Sequence, residues 1–228
     1  MRQLSTLACC LLFACGAFAA DNTLTETEKA EGWKLLFDGT STTGWVNRGK
    51  GVLETTLVNW KAENGTLTRS EKGGDAVYGA EQFENFVLSI DWKIADKGNS
   101  GVFIRLSDIK DWINTGAEVQ ILDINEEKEM SRPTHIAGSL YDLVGAPDGV
   151  RMKPGTWNNF IITCNGTKIN TVMNGTQTFA VDLTEEKWKS PQGKFKIPMA
   201  TLPRKGYLML QDHGALVEFK NIKIKPLP

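Results

Sequence analysis

Few segments of this 228-residue sequence carry side chains whose type and spacing suit chemistry. The most informative is Gly116-Ala-Glu-Val-Gln-Ile-Leu-Asp123, where an acid and an amide stand two residues apart in an otherwise apolar run. On an extended chain, period-two alternation puts Glu118 and Gln120 on one face, about 7 Å apart, with Asp123 on the other face unless the strand bulges. Such a pair either solvates an exposed face or lines a ligand site. Upstream, Asn99-Ser-Gly-Val-Phe-Ile-Arg105 alternates in the same way. That pattern predicts Phe103 and Arg105 on the side of Glu118, where a guanidinium would supply a planar donor to oxygen atoms or to developing negative charge. His135 and His213, the two histidines, sit in loop-like, glycine-containing contexts. An imidazole titrates near neutrality and suits general acid/base work, although either one also serves as a loop brace. Glu118, Asp123, His135, Asp142 and His213 are potential metal ligands, but no spacing among them identifies a site, so no metal or cofactor is expected.

These groups need strands to present them, and the sequence reads as a succession of short strands. After a polar stretch at 25–31 that suits a short helix, residues 86–94 alternate cleanly, with Phe86, Leu88, Ile90, Trp92 and Ile94 on one face. Residues 101–105 and 117–122 repeat the pattern. Segments 157–164, 168–173 and 178–181 are joined at Asn165-Gly166 and Asn174-Gly175, the dipeptide favoured in tight hairpins. Segments 207–211 and 217–225 close the series. Many short strands joined by hairpins predict an all-β sandwich or jelly roll. Trp92 is expected in the core, whereas Trp45, Trp60, Trp112 and Trp188 fall in loop-like stretches, either packed beneath them or stacked on a ring.

Residues 1–20 carry one charge, Arg2, then an apolar run and Ala17-Phe-Ala-Ala20, the layout of a secretory signal peptide. Leu12-Phe-Ala-Cys-Gly16 loosely resembles a lipobox, which leaves lipid anchoring through Cys15 as the alternative to a soluble periplasmic or secreted form. Either way, residues 21–228 are expected to form one domain. Cys164 alone then remains well inside the mature chain and reads as a small buried hydrophobe. A net charge of −1 with interspersed acids and bases excludes a basic nucleic-acid footprint, and no second apolar run suits a membrane span.

Two resemblances follow. Glu118-x-Gln-x-x-Asp123 is similar to the E-x-D-x-x-E strand of laminarinase-like glycoside hydrolases, but its middle carboxylate is an amide and its last acid is shortened. A retaining double displacement needs two carboxyl groups about 5 Å apart. More extensively, Gly32-Trp-Lys-Leu-Leu-Phe-Asp-Gly-Thr40 with Gly44-Trp45, Gly98-Asn-Ser-Gly-Val-Phe-Ile-Arg105, Glu118-Val-Gln-Ile-Leu-Asp123 and Gly138-Ser-Leu-Tyr-Asp142 resemble the 3-keto-disaccharide hydrolase family. Lys153-Pro-Gly-Thr-Trp-Asn158, Met173-Asn-Gly175, Leu210-Gln-Asp-His-Gly214 and Phe219-Lys-Asn-Ile222 continue the match in order. The resemblance implies a concanavalin-like jelly-roll sandwich of two antiparallel sheets. It also implies action on 3-keto-glycosides, through removal of the carbon-2 proton, loss of the glycosidic oxygen and hydration. Such substrates imply functional coupling to a sugar 3-oxidoreductase. For this chemistry Glu118 or His213 is the candidate base, Arg105 the group that steadies the enolate, and His135 or Tyr141 the proton donor. Gln120, Asp123, Asp142, Asn99, Phe103 and Tyr141 are candidate substrate contacts. The competing expectation is a lectin-like module that binds carbohydrate without turnover.

Overall fold

The structure is a computed structural model describing residues 20–69, 73–123, 132–150 and 152–228. Apart from Ala20, the predicted signal peptide, Cys15 included, lies outside the described residues. Helix α1 (Glu26–Ala30) is fastened by a capping box in which Thr25 and Glu28 satisfy each other's backbone N–H groups. The strands are β1 (Lys34–Leu35), β2 (Trp45–Asn47), β3 (Trp60–Glu63), β4 (Thr66–Arg69), β5 (Ala76–Tyr78), β6 (Phe86–Ile94) and β7 (Asn99–Leu106). A one-turn helix, α2 (Trp112–Thr115), precedes β8 (Ala117–Leu122). There follow β9 (Asn158–Asn165), β10 (Lys168–Met173), β11 (Thr176–Asp182), β12 (Tyr207–Leu210) and β13 (Val217–Pro226).

They assemble into the expected two antiparallel sheets of a jelly-roll sandwich. One sheet runs β11-β10-β9-β6-β13-β4-β3 with β1 added alongside β13, and the other runs β2-β5-β12-β7-β8. Alternation explains the core between them. The five apolar residues of β6 meet Phe160, Ile162 and Cys164 of β9 from their own sheet and Val102, Ile104, Val119 and Ile121 from the facing one. All of these are buried, and each large side chain contributes about 1.5–3 kcal/mol by leaving water. Trp92 packs on Phe160 with ring centroids 5.0 Å apart. Trp45, Trp60 and Trp188 are also buried, so packing rather than ligand stacking uses them.

At the β10–β11 turn Asn174 and Gly175 both adopt positive φ, 50° and 82°, as a tight hairpin demands. Between β9 and β10 only Gly166 does so, and Asn165 remains the last residue of its strand. A bulge interrupts β7. Tyr207 pairs with Leu106 and Met209 with Phe103, so three steps along β7 face two along β12, and Arg105 takes φ 53°.

Candidate active site

The outer face of the five-stranded sheet carries the site. β8 pairs with β7 so that Glu118 lies opposite Phe103 and Gln120 opposite Gly101. The other edge of β8 is covered by the 138–141 segment: the Gln120 and Tyr141 N–H groups donate to Ser139 and Glu118 carbonyls, and the Gly138 N–H donates to the Gln120 carbonyl. This added edge delivers Tyr141 next to Glu118. Gly101 has a specific reason to be glycine, since a Cβ there would collide with Glu118 Oε1. The carboxyl therefore lies in a slot across its neighbour strand.

Asn99, Phe103, Glu118, Gln120, Tyr141 and His213 line one cleft of about 300 Å³. An adjoining trough of about 650 Å³ shares Asn99, Gln120, Tyr141 and His213 with it and adds His135. These volumes suit a small ligand. Glu118 is only 7% exposed, and its carboxyl accepts no hydrogen bond from the described residues. Burial pushes its carboxyl up to about 8, with the Lys194 ammonium opposing that rise and Asp75 adding to it. Tyr141 stacks on His135 with centroids 4.5 Å apart, and Lys194 Nζ lies 4.1 Å over the Tyr141 ring. Asn99 Oδ1 and Gln211 Oε1 are buried beside the cleft without a hydrogen-bond partner among the described residues, leaving acceptor capacity for a ligand hydroxyl.

Three sequence expectations are corrected. The β7 bulge moves the alternation by one position, so Leu106 shares the face of Phe103 and Arg105 turns away from Glu118. Its guanidinium donates to the Glu84 carbonyl (2.9 Å), the Gly166 carbonyl (2.9 Å) and Asn85 Oδ1 (3.4 Å), so it ties two loops together and cannot steady charge in the cleft. Asp123 keeps the opposite-face direction of an unbulged strand; buried, it accepts the Lys97 N–H at 2.7 Å and braces the β6–β7 loop. Asp142 lines neither cavity. One of its oxygens lies 3.1 Å from His135 Nε2 and the other accepts the Lys194 N–H at 2.7 Å, which orients both neighbours. Burial works to raise the Asp142 carboxyl, but the bond to His135 and the Lys194 N–H outweigh it and hold it below its ordinary value.

Several cleft residues escaped the sequence reading. Arg48 pairs with Asp75 (2.6 Å) and lies 4.8 Å over the Trp112 ring. Asp75 also accepts the Asp212 N–H at 2.8 Å. Asp212 pairs with Arg69 at 2.5 Å and accepts N–H groups from Gly73, Gly74 and Gly214. These bonds outweigh the upward push of burial and keep the Asp212 carboxyl low. Together they clamp the loop that exposes His213 at the cleft mouth. Asp212, which precedes His213 in the chain, was the one available sequence signal; Arg48 and Lys194 lie in loops without periodicity. Among the described residues, no group of three or more His, Cys, Asp or Glu is placed to hold a metal ion. No helix among them is long and apolar enough to cross a membrane.

Residues 32–225 match the family described as the 3-keto-alpha-glucoside-1,2-lyase-like domain. The 3-keto-disaccharide hydrolase of Bacteroides thetaiotaomicron is 26% identical over 235 residues, covering 87% of this chain and 79% of that protein. Two solved structures from Parabacteroides distasonis, described as candidate glycosyl hydrolases, are each 32% identical. One covers 92% of this chain and 100% of its own with a TM-score of 0.81. The other covers 86% and 99% with a TM-score of 0.74.

Proposed function

This chain belongs to the 3-keto-alpha-glucoside-1,2-lyase-like family, and from that membership we propose that it cleaves glycosides whose carbon-3 hydroxyl has been oxidised to a ketone. The ketone acidifies the carbon-2 proton. Glu118 removes it, the electron pair delocalises onto the carbon-3 oxygen as an enolate, and the enolate collapses to expel the glycosidic oxygen from carbon 1. Water then adds at carbon 1 and a proton returns to carbon 2, so the net change is hydrolysis. The observation that carries this reading is the state of Glu118: a carboxyl in a cleft, buried, raised to about 8 and not engaged by a hydrogen-bond donor among the described residues. A base is most effective when its pKa lies near the working pH.

The Lys194 ammonium, electrostatically coupled to Glu118, takes the part first expected of Arg105 and steadies the enolate oxygen. His213 on the exposed rim hands a proton to the departing oxygen, and Tyr141, backed by His135 and Asp142, binds a substrate hydroxyl together with Gln120 and Asn99. A retaining glucanase mechanism is not supported, because the partner acid of β8 is an amide and Asp123 faces elsewhere. The substrate must come from an oxidation at carbon 3, and the N-terminal layout supports action outside the cytoplasm. The test is 3-keto-trehalose in heavy water. Glucose should be released and deuterium should appear at carbon 2 of the 3-keto product faster than in an enzyme-free control. Release with the carbon-2 proton retained and no 2-hydroxy-3-keto-glucal detectable during turnover would refute elimination.

A further inference from the structure

We infer that the end of the cleft formed by Trp112, Ile113 and Phe195 is an aglycone subsite for an apolar, ring-bearing leaving group; this rests on the keto-glycoside reading. The two ends of the cleft differ in chemistry. Towards Asn99, Gln120 and His213 the lining is amide and imidazole, with buried acceptors at Asn99 and Gln211 unpartnered among the described residues. Sugar hydroxyls satisfy such groups. At the other end Trp112 packs edge-on against Phe103, with centroids 5.2 Å apart, and its ring is also covered by the Arg48 guanidinium. Beside it Ile113 is 41% exposed, and it is the exposed large hydrophobic residue among those described that lines this cleft.

This apolar lip is built rather than accidental. The Asn114 side-chain Oδ1 accepts the Lys196 N–H at 2.9 Å, which fastens the turn carrying Trp112 and Ile113 to the loop carrying Phe195. Behind Phe195 lies a small apolar space bounded by Leu143, Ile197, Met199 and Leu202, and Glu118 borders both this space and the cleft. The base therefore stands at the seam between a polar end and an apolar end. A glycoside placed with its keto ring among the amides puts its aglycone on the lip. A hydroxyl-rich aglycone finds only the Arg48 and Lys194 cations as donors there, whereas an apolar ring also gains by covering Ile113 and Phe195.

Benzyl and methyl 3-keto-glucosides test this, because their leaving alcohols have closely similar acidity and differ chiefly in the ring. The benzyl compound should show a kcat/KM about tenfold higher. Ile113→Asn, at an exposed position, should cut that benzyl-to-methyl ratio at least about threefold. A ratio near one, or a ratio that Ile113→Asn leaves unchanged, overturns the subsite. Binding of the unoxidised benzyl and methyl glucosides, read by saturation-transfer NMR on both proteins, separates the two readings. If neither keto compound turns over but benzyl binds better and Ile113→Asn removes the advantage, the subsite stands and the reaction assignment fails. Equal binding overturns the subsite whatever the reaction.

Discussion

Glu118→Gln keeps the shape of the buried side chain and removes its ability to ionise, so it separates what the carboxyl does for chemistry from what it costs the fold. In the folded protein burial raises this group from 4.5 to about 8. Between those values the unfolded chain has released a proton that the native state still holds, so native stability falls as pH rises. The slope is about 1.4 kcal/mol per pH unit, which gives a loss of about 3 kcal/mol by pH 7 and about 5 kcal/mol once the native carboxyl has also ionised. Above pH about 8 no further loss comes from this group, and below 4.5 the contribution vanishes. Glutamine carries no such dependence. Urea denaturation from pH 4 to 9 should therefore show the two proteins nearly equal in acid and the variant increasingly more stable towards pH 8, while its turnover is lost. Wild-type activity should rise about tenfold per pH unit towards pH 8 and level off above it, as required of a base that must ionise. A stability difference that stays constant across this range, or wild-type turnover in Glu118→Gln, refutes the assignment.

Three other outcomes follow from the geometry. Arg105→Ala strips donors from two loop carbonyls and the Asn85 side chain, so it should lower stability by about 2–4 kcal/mol in chemical denaturation and leave the turnover of the folded fraction unchanged. Gly101→Ala places a methyl where Glu118 Oε1 lies, so kcat should fall about a hundredfold with circular dichroism unaltered. The Cys164 thiol, buried and pushed up to about 12, should resist a thiol-specific colorimetric reagent at pH 8 in the native protein and react once the protein is denatured.

Much of the architecture was legible in the sequence because period-two alternation is a local property. Phe86 to Ile94 announced β6 and its buried face, and Glu118 and Gln120 announced an outward polar pair, each from spacing alone. Arg105 shows where that reasoning stops: one extra residue in β7, visible only through its pairing with β12, reverses every later side chain in the strand. Nor does spacing report distance through space. Arg48, Asp75, Lys194 and Asp212 come from loops far apart in the chain and converge only because the two sheets and the 138–141 edge hold those loops together. The seriousness of Glu118's burial was equally a tertiary matter, since desolvation depends on what lies above a strand, while the residues along it establish only which way the carboxyl points.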